Sequence, residues 1–296
     1  MKSSLRGIVM IVTAVGLFTA MGGLIKAIPR VPVGEAVFFR SAFALPVIVL
    51  WLSVRREFRV GIRMTHRRLH LLRGILGTAA MALNFLGLRY LPMPEVTALR
   101  FVTPILVLVF AALFLGERFR LVRLGAVFTG LCGVLIILWP RLFADDGGTE
   151  QIRLLGVMIV LTSAAITALG QITLKHMAAT ESPAAIVFWY SLMAMFLGLV
   201  TLPLGWVWPS PRETVFLIGA GLLGGAGQML LSASYRYADA GALAPFTYAT
   251  MIWALLIGYF AFGETPTIPM MSGALLIIIA GLIIAARERQ KKQRES

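Results

Sequence analysis

The sequence predicts an all-α integral membrane protein in which ten transmembrane helices form two inverted repeats of five helices each. Composition is the first reason: 59% of the 296 residues are hydrophobic, only 14% are charged, and the mean hydropathy is +0.88. Soluble domains carry charge on about a quarter of their residues. The second reason is that apolar runs of about 20 residues recur, the length that an α-helix needs to cross about 30 Å of hydrocarbon. The third reason is an internal repeat.

The repeat is clearest where residues 89–117 match residues 236–264 at a constant offset of 147, with no gap. A segment that is used twice indicates two homologous halves. The matched identical residues include Arg89/Arg236, Tyr90/Tyr237, Thr103/Thr250, Gly116/Gly263 and Glu117/Glu264.

Ten spans account for the apolar runs. We expect helices because lipid-facing backbone must satisfy its hydrogen bonds within the segment. We interpret the first span as an uncleaved helix, not a signal peptide, since a second apolar run follows within a few residues. The lone Cys132 falls in the fifth span and is expected to be a small core residue. The predicted spans are 5–27, 33–53, 69–88, 95–115, 121–140, 154–174, 184–204, 214–234, 241–262 and 267–286.

Each half contains five spans. Residues 5–140 form the first predicted repeat, residues 154–286 form the second, and residues 287–296 form a basic cytoplasmic tail. Because five is an odd number, the two halves cross the membrane in opposite directions. Inverted repeats of this kind are a recurring architecture of secondary transporters, in which the binding site lies at the repeat interface.

The positive charges that give the net charge of +14 indicate how the chain is oriented in the membrane, and no nucleic-acid partner is expected. Of the 27 Lys and Arg residues, 19 lie in the two termini and in the loops that follow the even-numbered spans, all on one side of the membrane. Six lie in the loops on the opposite side, and Arg40 and Arg100 lie within spans. By the positive-inside rule, both termini are predicted to be cytoplasmic. The basic loop 55–73 and the tail are also suited to contact with anionic membrane lipid.

Several short motifs together carry a family resemblance. Phe38-Phe39-Arg40 in span 2, Leu72-Arg73-Gly74 opening span 3, Pro104 in span 4, and Gly-Glu closing spans 4 and 9 resemble the drug/metabolite transporter superfamily, in its ten-helix EamA-repeat branch. The resemblance covers essentially the full chain. It implies an inner-membrane carrier with a monomeric core and no ATP drive, in which helices 1–4 and 6–9 surround a central cavity. The chain looks most like proteobacterial riboflavin carriers; export of amino acids or toxic compounds is the alternative.

Two arginines within spans are the first candidates for binding cargo. Arg40 lies roughly 10 Å deep and Arg100 roughly 7 Å deep at helical rise. A membrane-buried arginine is costly and usually faces a cavity or a partner, and its guanidinium suits an anionic or carbonyl group on a cargo. The alternative is that Arg40 and Arg100 pair with Glu35 and Glu95, or extend outward to the interface.

The repeat separates these candidates from structural residues. Arg40 aligns with Tyr190 and Arg100 with Thr247, so these charges occur in the first half only, which favours a role in function. In contrast, Lys26 recurs as Lys175 and Glu264 recurs as Glu117, which favours a role as interface anchors and helix-end partners.

Other polar and aromatic residues within the spans complete the predicted site. Amides in a helix bundle either join helices or hydrogen-bond a cargo, and aromatic rings either pack or stack on a flat cargo. The amide candidates are Asn84, Gln171 and Gln228; the aromatic candidates are Phe101, Trp189, Tyr190, Tyr248 and Trp253.

Other functional classes have little support. The GxGxxG match at residues 219–224 lies inside a span without a βαβ context, so we expect no dinucleotide there; Gly221 and Gly225 instead predict close helix packing. No metal site, other cofactor site or catalytic constellation is predicted, and an intramembrane enzyme, a channel and a scaffold are remote alternatives. Every acidic residue lies in a loop or near a span end, which favours facilitated transport or exchange over proton coupling. Cargo, direction and oligomeric state remain open.

Overall fold

The computed structural model describes residues 2–54, 56, 58, 62–115, 125, 128–129, 132–137, 139, 149–177, 180–234, 237 and 243–295. All regular structure in this part of the chain is helical. Two short 3₁₀ helices occur at Leu202–Leu204 and Ala244–Tyr248. The α-helices are α1 (Lys2–Lys26), α2 (Val33–Val54), α3 (Arg67–Tyr90), α4 (Met93–Arg100), α5 (Thr103–Leu115), α6 (Thr149–Met177), α7 (Pro183–Val200), α8 (Pro211–Ser234), α9 (Ala249–Phe262) and α10 (Ile268–Glu295).

These helices confirm the predicted fold class. Five of them, α1, α2, α3, α6 and α8, contain stretches that are long and apolar enough to cross a membrane, and shorter apolar helices lie at 184–200, 246–262 and 268–279. The fourth span is divided into α4 and α5. Half of the predicted fifth span, 121–140, lies outside the described residues; the described ones, 125, 128–129, 132–137 and 139, are helical.

The two halves are packed against each other. Helix α1 packs on α8, and its repeat equivalent α6 packs on α3. Helix α2 contacts both α7 and α8, so first-half helices pack directly on second-half helices. The main buried cluster accordingly draws apolar side chains from both halves, among them Phe85, Leu99, Ile105, Val160 and Leu217. The candidate residues on α2 and α3 therefore lie at a repeat interface.

Small residues on α8 allow this close packing, as the sequence predicts. A Cβ at Gly221 would lie 2.3 Å from the Cβ of Phe43, and a Cβ at Gly225 would lie 3.1 Å from the Cα of Ala44. Both neighbours belong to α2. Gly221, the central glycine of the GxGxxG match, and Gly225 just after it are therefore helix-packing positions in α8, where the absence of side chains lets two backbones approach.

An ion pair joins the two halves at the end of the bundle where α1 finishes. Lys26 Nζ lies 2.5 Å from Glu264 Oε1, and it also donates to the carbonyl of Leu91 at 2.8 Å. The second oxygen of Glu264 accepts the backbone N–H of Met93 at 2.8 Å. Gly263, with φ +65°, provides the left-handed turn that ends α9 just before Glu264. Lys26 and Glu264 are thus helix-end partners, as predicted; their repeat equivalents lie outside the described side chains.

The opposite end is joined by a buried carboxylate. Glu181, between α6 and α7, accepts the backbone N–H groups of Thr65 and His66 at 2.9 and 2.6 Å. Its other oxygen lies 3.4 Å from Nε2 of the buried His70. Burial raises the pKa of Glu181, but these donors lower it more, so the pKa lies below its ordinary value. The carboxylate connects the approach to α3 with the approach to α7.

Candidate functional site

Arg40 is buried deep in the bundle without the predicted carboxylate partner. Its exposed fraction is 3%, and its Nε and Nη1 atoms have no hydrogen-bond partner. Glu35 instead accepts the backbone N–H of Val207 at 3.1 Å. None of the ion pairs among the described residues involves Arg40. The alternative that Arg40 pairs with Glu35 is therefore wrong.

A glycine on α8 makes room for the Arg40 guanidinium. A Cβ at Gly224 would lie 3.0 Å from Arg40 Nε and 3.3 Å from Nη2. Gly224 is the fourteenth residue of α8, about 20 Å along the helix at 1.5 Å per residue. The side chain thus extends from α2 across the face of α8 towards the middle of the bundle, and does not turn outward.

Tyr190 occupies the equivalent position in the second half. It aligns with Arg40, and Gly77 aligns with Gly224. A Cβ at Gly77 would lie 2.5 Å from the Tyr190 ring, so a missing side chain accommodates Tyr190 just as it accommodates Arg40. The Tyr190 hydroxyl points at the carbonyl of Gly77, 3.5 Å away. One packing arrangement therefore holds a cation in one half and a phenol in the other.

Arg73 contacts Tyr190, although the charge pattern of the sequence predicts that Arg73 lies on the cytoplasmic loop side. It is the seventh residue of α3, and its guanidinium carbon lies 4.6 Å from the Tyr190 ring centroid. Its Nε atom is buried without a hydrogen-bond partner. Arg73 and Tyr190 are both close enough to Arg40 to interact with it electrostatically. The signal that was available is the spacing of Arg73, Gly77 and Asn84, which places all three on one face of a helix.

Asn84 extends this polar face of α3 and remains a candidate. It follows Arg73 by three helical turns, and its Oδ1 atom is buried without a hydrogen-bond partner. Met81 lies between them, with its sulfur 3.8 Å from the Tyr190 hydroxyl. An amide oxygen left unpaired in a packed bundle is available to a donor on a cargo.

Arg100 lies at a break in the fourth span. Helix α4 ends at Arg100, and Phe101 and Val102 make tight i→i−3 backbone hydrogen bonds to Ala98 and Leu99 before α5 begins. Pro104 has no N–H to offer the Arg100 carbonyl, which explains why the helix stops there. The Arg100 side chain is exposed, and within the described part of the chain it has neither a hydrogen bond nor an ion pair. The predicted alternative of a pair with Glu95 is therefore wrong.

The ninth span is broken at the equivalent place, and the two breaks touch. The 3₁₀ helix Ala244–Tyr248 precedes α9. Tyr248 is the repeat equivalent of Phe101, and the two rings meet edge to face with centroids 4.9 Å apart. Interrupted helices that meet at a repeat interface are typical of binding sites in secondary transporters. Phe101 and Tyr248 thus come together near Arg100.

The remaining candidates are more dispersed. Gln228 follows Gly224 by one turn of α8 and is partly buried. Gln171 is exposed on α6. Trp189 donates from Nε1 to the carbonyl of Ile62 at 2.9 Å, which ties it to the approach to α3. No contact in the described residues brings Gln171 or Trp189 to Arg40.

Trp253 lies in a different place, on a lateral groove between α1 and α9. The groove has a volume of about 610 Å³ and an apolar lining that includes Leu17, Leu256 and Phe260. Trp253 packs on Gly16 and donates from Nε1 to the carbonyl of Val12 at 3.3 Å. This groove is separate from the Arg40 and Tyr190 pair, and its apolar lining resembles a lipid-facing crevice more than a polar binding site.

The described residues contain no group of three or more His, Cys, Asp or Glu side chains that is suited to a metal ion. The candidate polar side chains in the bundle are instead cations, amides and phenols. Arg73 stacks on Tyr190, Arg40 and Asn84 are buried with unpaired atoms, and Phe101 and Tyr248 meet beside Arg100 at the helix breaks. This arrangement is suited to reversible recognition of a solute, because guanidinium and amide groups offer directed hydrogen bonds.

The known proteins that this chain resembles in sequence are membrane transporters. The profile of the EamA-like transporter family matches residues 5–139 and 154–286, once for each half. The chain is 26% identical over 288 residues to the pseudopaline exporter CntI of Pseudomonas aeruginosa, covering 96% of this chain and 97% of that protein. It is 28% identical to a riboflavin transporter of Vibrio cholerae, covering 86% and 83%. It is 26% identical to an S-adenosylmethionine uptake transporter of Rickettsia conorii, covering 87% and 83%.

A solved crystal structure has the same fold, with a TM-score of 0.65 at 18% identity over 98% of both chains. The relatives have different named cargoes and opposite directions of transport, whereas the family profile matches both halves. The chain therefore belongs to the EamA-like transporter family, within the drug/metabolite transporters.

Proposed function

We propose that this membrane transporter is a secondary carrier of the cell inner membrane, with both termini cytoplasmic, that moves a small organic metabolite by alternating access. Riboflavin, or a similar planar metabolite, is the first cargo to test. The observation that carries the proposal is Arg40: a buried guanidinium with unpaired donors at the interface of the two halves. A charge that is costly inside a membrane marks a transport pathway more often than a structural site.

Aromatic rings support a planar cargo. The ring of Tyr190 stacks on the Arg73 guanidinium at 4.6 Å and lies within electrostatic range of Arg40, and Phe101 and Tyr248 meet at the two helix breaks. Flat rings stack on aromatic side chains at centroid distances of about 4.5–7 Å. A flat solute would find stacking surfaces at the helix breaks and at Tyr190, and hydrogen-bond donors on Arg40 and Arg73.

Rocking of the two halves would provide access from either side. Their interface includes the ion pair between Lys26 and Glu264 at one end and the Glu181 hydrogen bonds at the other. Glu35 and Glu95 lie near the start of their helices, which favours facilitated transport or exchange over obligate proton coupling.

Export of amino acids or toxic compounds is the second candidate. The relative named as a pseudopaline exporter aligns over nearly the whole of both chains, and unpaired cations suit a cargo that carries a carboxylate. Direction is therefore tested together with cargo.

The test is riboflavin uptake by a bacterial strain that can neither synthesise nor import riboflavin. The strain expresses the parent protein, the Arg40→Ala variant, or the matched control Arg153→Ala, which changes an exposed arginine at the start of α6. We expect growth with the parent and the control, and loss of growth with Arg40→Ala at equal membrane abundance. Absence of rescue by the parent would refute riboflavin import and transfer the assay to efflux of amino acids and toxic compounds.

Counterflow separates a carrier from a channel. Vesicles preloaded with unlabelled cargo accelerate uptake of labelled cargo through a carrier, whereas a passive pore shows no such acceleration. Saturation without counterflow would contradict alternating access.

A further inference from the structure

We infer that Arg40 and Arg73 form a binding site for an anionic group, so that among flat solutes the carrier prefers one that carries a negative charge. This inference rests on the proposed transport function and narrows its cargo. Arg40 lies on α2 and Arg73 on α3; the ring of Tyr190 of α7 stacks on Arg73, and Arg73 and Tyr190 are both within electrostatic range of Arg40. The site therefore uses both halves of the molecule.

Arg40 has the features of a ligand-binding cation. It is 97% buried, and two of its three guanidinium nitrogens have no hydrogen-bond partner. Its guanidinium does not extend to the membrane surface, since it packs across Gly224 in the middle of α8. A buried arginine with unpaired donors is among the least favourable groups in a membrane protein, and a bound anion relieves that cost.

Arg73 approaches the same region from the opposite end of the bundle. Its guanidinium extends from the seventh residue of α3 past Gly77, where a Cβ would meet its Nη1 atom, and its Nε atom is unpaired. The stack on the Tyr190 ring, at 4.6 Å, fixes the plane of the guanidinium without using its N–H groups. Those donors remain available to a ligand.

No protein carboxylate neutralises these two charges in the described part of the chain. The ion pairs found there join Lys26 to Glu264, Arg30 to Glu213, and two histidines to Glu181. Like charges in a medium of low dielectric constant repel each other, and an opposite charge between them is strongly favoured. The missing counter-charge is therefore assigned to the cargo.

The shape of the guanidinium groups indicates which anions fit. Each presents a planar fork of donors that matches the two oxygens of a carboxylate or of a phosphate. The adjacent Tyr190 ring offers a flat surface to the rest of the solute. Among planar metabolites, this arrangement favours one that carries a carboxylate or a phosphate over neutral riboflavin.

The experiment uses three small probes of nearly equal size with the purified full-length protein in detergent: benzoate, phenyl phosphate and the neutral isostere benzamide. Binding is measured as the rise in melting temperature with probe concentration, because a ligand that binds only the folded state stabilises it. We expect benzoate or phenyl phosphate to raise the melting temperature, at a half-saturating concentration at least tenfold lower than for benzamide. The stronger of the two identifies a carboxylate or a phosphate as the preferred group.

Substitutions then locate the site. Arg40→Gln and Arg73→Gln should each raise the half-saturating concentration of the anion at least tenfold, Arg40→Lys should restore part of the response, and the exposed control Arg153→Gln should leave it unchanged. Equal effects of benzoate and benzamide on the parent protein, including no effect of either, would overturn the inference. An anion response that persists in both glutamine variants would also overturn it.

The two proposals fail separately. Saturable counterflow of a neutral solute, with no preference for anionic probes, would leave the carrier function standing and eliminate the anion site. Anion binding at Arg40 and Arg73 without counterflow of any solute would support the anion site and refute the carrier function.

Discussion

Two of the glycines of α8 that face α2, Gly221 and Gly224, are predicted to have opposite effects on stability and on binding when each is replaced by alanine. At Gly224, a new Cβ would lie 3.0 Å from Arg40 Nε and 2.9 Å from the sulfur of Met21, both in side chains that can move. At Gly221, it would lie 2.3 Å from the Cβ of Phe43, an atom fixed to the backbone of α2. Gly224→Ala should therefore displace the guanidinium, whereas Gly221→Ala should separate the helices.

The distances set the expected magnitudes. Ordinary contact begins near 3.4 Å, so Arg40 Nε must retreat by about 0.4 Å, whereas Phe43 must retreat by about 1.1 Å. Overpacking costs about 1–3 kcal/mol, and alanine regains about 1 kcal/mol of helix propensity over glycine. We expect Gly224→Ala to leave stability near that of the parent. With the upper cost, Gly221→Ala loses about 2 kcal/mol, or about 4–8 °C in melting temperature.

Benzoate binding should follow the reverse order, with the larger loss of affinity in Gly224→Ala. A misaligned charge-assisted hydrogen bond costs roughly 1.4 kcal/mol, a tenfold weaker affinity. We therefore expect Gly224→Ala to raise the half-saturating benzoate concentration about tenfold. Gly219→Ala is the control, because its Cβ would meet only the end of the Leu24 side chain, at 3.1 Å. If Gly224→Ala and Gly219→Ala respond equally to benzoate, the placement of the Arg40 guanidinium against α8 is wrong.

Three further predictions test other parts of the structure. Lys26→Met and Glu264→Gln should each lower the free energy of unfolding in mixed micelles by about 2–4 kcal/mol, because each change leaves the other buried charge unpaired. The double variant should lose less than the sum of the two single losses. Additive losses would contradict the ion pair. Glu181, whose pKa is lowered from 4.5, should contribute stability that is present above pH 4.5 and is lost as the pH falls below that value towards its folded pKa. The melting temperature of Glu181→Gln should then depend less on pH below 4.5 than that of the parent, and equal slopes would refute this. Tyr190→Phe should keep the half-saturating benzoate concentration within about twofold of the parent value, because the ring still stacks on Arg73. Tyr190→Leu should raise that concentration by about 2–30-fold, the equivalent of about 0.5–2 kcal/mol. Equal effects of the two substitutions would exclude the ring as the relevant group.

The fold was predictable because its signals are local and repeated. Apolar runs define the spans, and the repeat between residues 89–117 and 236–264 defines two halves. The role of Gly221 and Gly225 also followed from spacing alone. These features depend on residues close in sequence, or on a comparison of the chain with itself.

The partners of the charged residues were less predictable. Glu35 precedes Arg40 by only five residues, which suggested a pair, but its carboxylate faces Val207 in a distant loop. Arg73 follows a basic loop, so a count of charges placed it outside the membrane, whereas its contacts with Gly77 and Tyr190 draw it into the bundle. Such choices depend on which helices pack together, and a single sequence carries no direct signal for that.

The distribution of charge between the halves bears on how the carrier would work. Arg40, Arg73 and Arg100 all lie in the first half, and their repeat equivalents are the uncharged Tyr190, Ala220 and Thr247. Two identical halves would exchange conformations at no cost, and the states open to either side would be equally stable. An anion held by the first half, as proposed, would interact with different groups of the second half in each state. Because a ligand shifts a two-state equilibrium only through its differential affinity for the two states, this asymmetry would give the cargo a physical means to change the preferred conformation of its own carrier.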